Sequence, residues 1–434
     1  MPFRTALSGL NAASTDLRVI GNNVANASTV GFKESRVEFA DVYPASNVGA
    51  AANAIGSGVR VAAITQQFSQ GNIEFTDNVL DLAINGQGFF RLSDNGAVSY
   101  TRSGQFQVDD QGFVVNNTGQ RLTGFQADAS GNITGALGDL FIDTSDIAPS
   151  ATGALTPNGG ISAVLNLDAN ATPTFAPTAN GAVSTFDRTN AATYNYSTSL
   201  TIYDSLGNPL LATMYFRKTT TPNLWETHLW INNGTMDIEV IPLGNVAGEP
   251  ARMQFNADGT LASVTPAVGG TTTTVNYNTV NPATGANILD FEVSFANSTQ
   301  FGSNFSVNSL TQDGYTSGRI IGITVSDQGI MQARFNNGQT RVLGQVALAN
   351  FSNPQGLQQL GDTQWAETAD SGAALVGAPG TANMGLVQSG ALEGSNVDLT
   401  EQLVRMITAQ RNFQANAQVI STADTITQTI INIR

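Results

Sequence analysis

Phe3, Leu10, Leu17 and Val24 recur every seven residues at one end of this chain, and Ala6, Ala13, Ile20 and Ala27 occupy the position three further on. Apolar residues at that a/d spacing specify a helix whose seam must be covered by another helix. The other end has the same character. Leu399, Leu403, Met406, Phe413, Ala417 and Ile420 form a seam, and Val419, Ala423, Ile426, Ile430 and Ile433 continue it on an adjacent line. Asp398 followed by Glu401 fits a capping box at the start of this second helix.

The first seam is interrupted in an informative way. Gly21, Asn22, Asn23 and Asn26 stand beside it, and all are poor helix formers. One reading keeps the helix: the amides bond across neighbouring chains and fix register, as polar residues do in coiled coils, while Gly21 permits close backbone approach. The other reading makes "GNNVAN" a loop after a shorter helix. The same choice applies to both ends. They form either an intramolecular antiparallel pair or adhesive strips ordered only against copies from sister chains. Few charges and interior Gly, Asn and Thr leave each helix weak in isolation, which favours the second.

Between the ends the period drops to two. Leu80, Leu82 and Ile84 alternate, and "GFFRLSDNG", "GQFQVDDQG" and "ITVSDQG" read as strands leading into hairpin tips at Asn95-Gly96, Gln111-Gly112 and Gln328-Gly329. "YPASNVGAAANAIGSG", Tyr43 to Gly58, reads as a linker. A second β region contains "NYSTSLTIYDSLGNPLLATMYF" turning at Gly207-Asn208-Pro209, "LWETHLWIN", "MQFNADGTLASV" turning at Asp258-Gly259, and "LDFEVSF". Similar hairpins resume after it, so it reads as an insertion. The expected fold is mainly β with α-helical termini: nested β domains between an N-terminal and a C-terminal helix that pair as a coiled coil. Its parts are a terminal helical core domain (1-28 and 393-434), a linker region (29-71 and 386-392), an inner β domain (72-145 and 312-385) and an outer inserted β domain (146-311).

Composition excludes several functions. With 18 Lys plus Arg against 33 Asp plus Glu, the net charge of −15 argues against a nucleic-acid surface or anionic lipid. There is no cysteine and one histidine, which removes thiolate sites and His-dependent triads within the chain. His228 in "WETHLWI" shares a strand face with Glu226 and Trp230 and reads as a surface residue. Asp-rich tips such as "VDDQG" lack the ligand spacing of a calcium loop, and "NGQGFF" and "GSG" lack the strand-to-helix context of a phosphate cradle. No catalytic residue, cofactor or metal is expected. "MPFRTALSGLNAASTDL" has no uninterrupted apolar region, and no run of about 18 apolar residues exists, so no membrane insertion is expected and, if the chain leaves the cell, the expected route cuts no signal peptide.

"NNVANASTVGFK" (Asn22 to Lys33), "QQFSQGNIEFTDNVLDLAINGQGFFRL" (Gln66 to Leu92), "YTRSGQFQVDDQGFVVN" (Tyr100 to Asn116) and "GALEGSNVDLTEQLVRMITAQRNFQANAQVISTADTITQTIINIR" (Gly390 to Arg434) resemble the bacterial flagellar axial rod/hook protein family. "YSTSLTIYDSLGNP" and the length resemble its hook members more than its shorter rod members. The resemblance implies a non-enzymatic structural subunit, exported through the flagellar type III apparatus, that polymerises under a cap into a curved tube. That tube is a universal joint carrying torque from rod to filament. Implied partners are further copies of the chain, the hook cap, the distal rod and hook-filament junction proteins, and the export apparatus; the implied location is the extracellular hook of the basal body.

The expected polymerisation interface comprises Phe3, Leu10, Leu17, Val24, Asn22, Asn23, Asn26, Leu399, Leu403, Met406, Phe413, Ile420, Ile426 and Ile430. Gln402, Gln410, Gln414 and Gln418 are expected on a polar channel wall. A distal rod or other axial component, or a secreted β-rich adhesin or carbohydrate-active enzyme with helical ends, stand as alternatives. Bendable tubes formed by the purified chain separate the hook reading from the last.

Overall fold

Helix at the ends and strand between them follow the change of period, and the turns fall where glycine or asparagine supplies a positive φ. The structure, a computed structural model, describes residues 2–43, 56–128, 130–154, 159–174, 186–245, 249–266, 273–381 and 383–432. Most of the Ala/Gly/Ser linker, 44–55, and Ile433 of the second seam lie outside the described residues. The chain forms two compact units: Met1–Thr144 with Ile321–Arg334 and Thr340–Arg434, and Ser145–Ile320 with Phe335–Gln339.

In the first unit, helix α1 spans Pro2–Ala25 and helix α2 spans Leu399–Asn432. Gly21, Asn22 and Asn23 are inside α1, so the helical reading of "GNNVAN" holds to its last turn and the loop reading does not. After the linker the chain is strand from Val59, where the period of two begins, whereas the strand before the linker is one that the sequence reading leaves unassigned. Strand β1 (Ser35–Asp41) pairs antiparallel with β2 (Val59–Gln66), from Ser35↔Gln66 to Asp41↔Val59. Next, β3 (Ile73–Phe75) pairs with Ala391–Glu393, and β4 (Leu82–Asn85) with Leu386–Ser389, which brings the two halves of the chain together.

The main sheet of this unit has 13 strands among the described residues, and its central strands pair antiparallel. Strands β5 (Phe89–Asp94) and β6 (Ala97–Thr101) form a hairpin at its centre, closed by Asn95 and Gly96 at φ 49 and 98. Strand β5 is buried on both faces: Phe90 and Leu92 join Leu82, Phe106, Val114 and Leu122, while Phe89 joins Tyr100, Phe351 and Trp365. At Gly104 a Cβ would lie 1.6 Å from the Leu82 carbonyl oxygen, so only glycine fits where these main chains meet.

The second unit is a two-sheet β structure with one core. A six-stranded antiparallel sheet contains Tyr196–Tyr203, Pro209–Lys218 and Leu224–Asn232 at its heart. A five-stranded sheet is built on Gly160–Asp168, which pairs in parallel with Leu289–Ser294 and Thr299–Phe301 and antiparallel with Ser306–Gln312. Alternating residues of both sheets, among them Leu165, Leu167, Met214, Phe216, Trp225, Ile231 and Phe291, bury into the shared core.

The surface reading of His228 is corrected. The residue is 6% exposed, its ring stacks on Phe186 at 3.9 Å between centroids, and Tyr215 is its cross-strand neighbour. Alternation along one strand places His228 opposite Trp225 and Leu229, but only the returning segment at Phe186 decides that this face is also covered. Burial, with Arg217 nearby, lowers its pKa to about 4.

Candidate functional site

The helices α1 and α2 run antiparallel in a fixed register. Asn23 Nδ2 donates to Gln402 Oε1 at 3.3 Å near one end. Fourteen residues back along α1 and fourteen forward along α2, a Cβ on Gly9 would lie 2.6 Å from Asn416. Close approach is therefore made at Gly9; Gly21, expected to fill that role, has nothing within 4 Å of its Cβ position. Carried to Phe3, the same register places it opposite the turn around Val419 and Thr422, with which it lines a groove. Beyond this, α2 continues without a partner helix, and every residue from Asp424 to Asn432 is exposed.

The two lines of the first seam separate. Ala6, Ala13 and Ile20, together with Ala12, are buried, whereas Leu10, Leu17 and Val24 are half-buried and Phe3 is exposed. On α2, Met406, Phe413 and Ile420 are half-buried, and Leu399, Leu403, Ile426 and Ile430 are exposed. Both helices are thus defined within a single chain and docked on each other, in place of the expectation that they take shape only against sister chains. A large apolar surface nevertheless remains uncovered, including Ile407, Val419, Ile430 and Ile431. Five threonines of α2 donate their hydroxyls to the carbonyl four residues back, at positions 408, 422, 425, 427 and 429. Those hydroxyls are satisfied by the helix itself, and Thr422, Ile426 and Thr427 join Phe3, Ala415, Val419 and Ala423 around an open groove of roughly 690 Å³.

The amides beside the seam have partners inside the chain. Asn23 is 1% exposed; its Nδ2 donates to the Ser35 carbonyl at 2.8 Å and its Oδ1 accepts from the Ser35 N–H at 3.0 Å. This replaces the expectation that Asn23 bonds across subunits. Asn26, in the turn just after α1, donates from Nδ2 to Asn22 Oδ1 in the last turn of the helix at 2.6 Å, and Asn22 is exposed. Gln402, expected on a channel wall, is fully buried, with Nε2 donating to Glu34 Oε1 at 2.9 Å; Gln410, Gln414 and Gln418 are exposed. At the start of α2, Asp398 Oδ1 caps the N–H groups of Thr400 and Glu401 at 2.7 and 3.2 Å, while Glu401 pairs with Arg405.

Sequence reading passed over a buried ionic cluster near these helix ends. Glu393 accepts from Lys33 Nζ at 2.6 Å and from Arg102 at 3.0 Å, and all three side chains are 5% exposed or less. Burial holds both the Lys33 ammonium and the Arg102 guanidinium below their ordinary pKa ranges, opposed by the Glu393 charge. The quoted motifs "TVGFK" and "GALEG" contain two of these residues, but nothing local signals that they meet. Among the described residues no group of three or more His, Cys, Asp or Glu side chains is placed to hold a metal ion, and no helix is long and apolar enough to cross a membrane.

This arrangement, helical ends joined over nested β structure, has known counterparts. Four family models match parts of the chain: flagella basal body rod protein at 3–33, flagellar hook protein FlgE/F/G D1 domain at 83–183, flagellar basal body protein FlaE D2 domain at 166–315, and flagellar basal body rod FlgEFG protein C-terminal at 388–433. The chain is 40% identical to the flagellar hook protein FlgE of Escherichia coli (strain K12), with all of both chains covered. The chain belongs to the flagellar hook protein family. It is also 38% identical, over all of both chains, to the flagellar hook protein FlgE of Salmonella typhimurium, and 32% identical to that of Borreliella burgdorferi, covering 99% of this chain and 98% of the other. The crystal structure of Helicobacter pylori flagellar hook protein FlgE2 shares the fold, with a TM-score of 0.52 and 13% identity, covering 74% of this chain and 100% of that one. Membership places the chain in the flagellar hook as a structural protein that polymerises into the hook and associates with basal-body components.

Proposed function

We propose that the chain is the repeating subunit of a curved, flexible tube that transmits torque from rod to filament, and that it polymerises through the uncovered faces of its two helices. The observation that carries this is the mismatch in length between α1 and α2. The register leaves Asp424–Asn432 beyond the reach of α1, with Ile426, Ile430 and Ile431 between 55% and 66% exposed. Apolar surface of this kind on a helix is stable only when another molecule covers it. The occupant is a second copy: its overhang supplies isoleucines, and the groove at Phe3 and Val419 is lined, apart from Gln418, by apolar and self-satisfied threonine side chains that match them. The interface residues are then Phe3, Leu10, Leu17, Val24, Leu399, Leu403, Met406, Phe413, Ile420, Ile426 and Ile430, with Asn22 and Asn26 at its polar margin. Asn23 and Gln402 are excluded because their amides are already satisfied inside the subunit.

In the assembled hook the paired helices form the inner tube. The subunit works without enzymatic chemistry, is exported through the flagellar type III apparatus without signal cleavage, and meets the hook cap, distal rod and hook-filament junction proteins at the ends of the tube. Electron microscopy tests this: the full chain forms bendable tubes, whereas a chain lacking 424–434 keeps the far-ultraviolet spectrum of a folded monomer and forms none. Tubes of normal length from the truncated chain overturn the assignment of the overhang.

A further inference from the structure

Two connections join the helix pair to the main sheet of the first unit: the segment from β2 to β3, and the segment from Glu393 to Leu399. Glu393 grips both, together with the turn that leaves α1. Its Oε1 accepts from Lys33 Nζ at 2.6 Å and from the Gly71 N–H at 2.9 Å, its Oε2 accepts from Arg102 at 3.0 Å, and its carbonyl accepts from the Gly31 N–H at 2.8 Å. Each cation is tied further. Lys33 donates to the Ser69 carbonyl at 2.7 Å, and Arg102 donates to the Gly86 carbonyl at 2.8 Å with its guanidinium 5.4 Å from the centre of the Phe89 ring. Asn396 repeats the pattern one turn of chain later: it accepts from the Glu34 N–H at 2.7 Å and donates to the Gln67 carbonyl at 2.7 Å.

The cluster holds two cations against one carboxylate, with Arg102 Nε buried and unpartnered. Buried ion groups contribute little net stability, because desolvation offsets the attraction, but their bonds are directional. The main chains they join are in contact: a Cβ on Gly71 would lie 2.1 Å from the Gly394 carbonyl oxygen. Apolar packing between the same segments would tolerate sliding; charge-assisted bonds from one carboxylate to three points do not.

We infer that Lys33, Glu393 and Arg102 form a mechanical rivet that makes the helix pair and the main sheet of this unit turn as one body, so that bending of the tube is taken up elsewhere. The inference rests on the hook reading, but its first test needs only the monomer. In full-length Lys33→Met, the Arg102–Glu393 pair stays charge-balanced. Amide exchange at Gly31, Glu34, Gly71 and Gly394 rises on the order of tenfold or more, while amides of β5 and β6 exchange as in the parent. Tubes of this variant bend more easily, with a persistence length reduced about twofold or more. If Lys33→Met does not fold, Lys33→Gln, which keeps a donor for the Ser69 carbonyl, is measured in the same way. Unchanged exchange at the four amides, or a rise spread evenly over the unit, overturns the rivet. Parent chains that form no tubes count against the hook reading instead and leave the exchange result to decide the rivet.

Discussion

Replacing Asn23 by alanine removes three hydrogen bonds at one buried position: Nδ2 to the Ser35 carbonyl at 2.8 Å, Nδ2 to Gln402 Oε1 at 3.3 Å, and the Ser35 N–H to Oδ1 at 3.0 Å. At about 1 kcal/mol each, and with an unsatisfied-partner penalty of similar order for the Ser35 groups, the loss is roughly 3–4 kcal/mol. The better helix propensity of alanine offsets about 0.5 kcal/mol of this. A net loss near 3 kcal/mol lowers the melting temperature of the unit that contains it by about 6–12 °C. Asn22→Ala is the control: Asn22 is exposed and its side chain only accepts from Asn26, so its effect stays within about 0.5 kcal/mol. Thermal unfolding followed by circular dichroism, at two dilute concentrations about tenfold apart, separates monomer stability from self-association. Equal melting temperatures for the two variants, or a deficit in Asn23→Ala that appears only when chains associate, would refute the intramolecular role of this amide.

The His228 pKa, lowered to about 4 in the fold from 6.5, means that the unfolded chain binds more protons between those values. Stability of the second unit is therefore complete above about pH 6.5 and falls by roughly 3 kcal/mol as pH drops to about 4, a slope that His228→Gln flattens in urea titrations. Phe3→Ala changes monomer melting little, since Phe3 is 51% exposed, but raises the critical concentration for tube formation several-fold, read by sedimentation. Gly104→Ala forces a Cβ to 1.6 Å from the Leu82 carbonyl oxygen, so the first unit loses its cooperative unfolding transition in calorimetry.

The seams at the two ends, the strands and the hairpin tips are legible in the sequence because each is a local pattern. A period of seven or of two, ended by Asn-Gly or Asp-Gly, determines helix or strand whatever the rest of the chain does. The long motifs at both ends also identify the family without a structure. Which line of a seam faces inward is a different kind of fact. Ala6, Ala13 and Ile20 are covered and Phe3 is not because α2 lies on that side, and no periodicity within α1 contains that information. The same holds for Asn23, whose partners Ser35 and Gln402 stand 12 and 379 positions away, and for His228, covered by Phe186.

The ionic cluster is the extreme case. Lys33 and Glu393 are separated by 360 positions, and each taken alone reads as a solvated charge. Sequence settled where helices and strands begin, because backbone conformation responds to near neighbours. Tertiary structure alone decided which polar groups leave water, because desolvation depends on every segment that arrives from elsewhere in the chain.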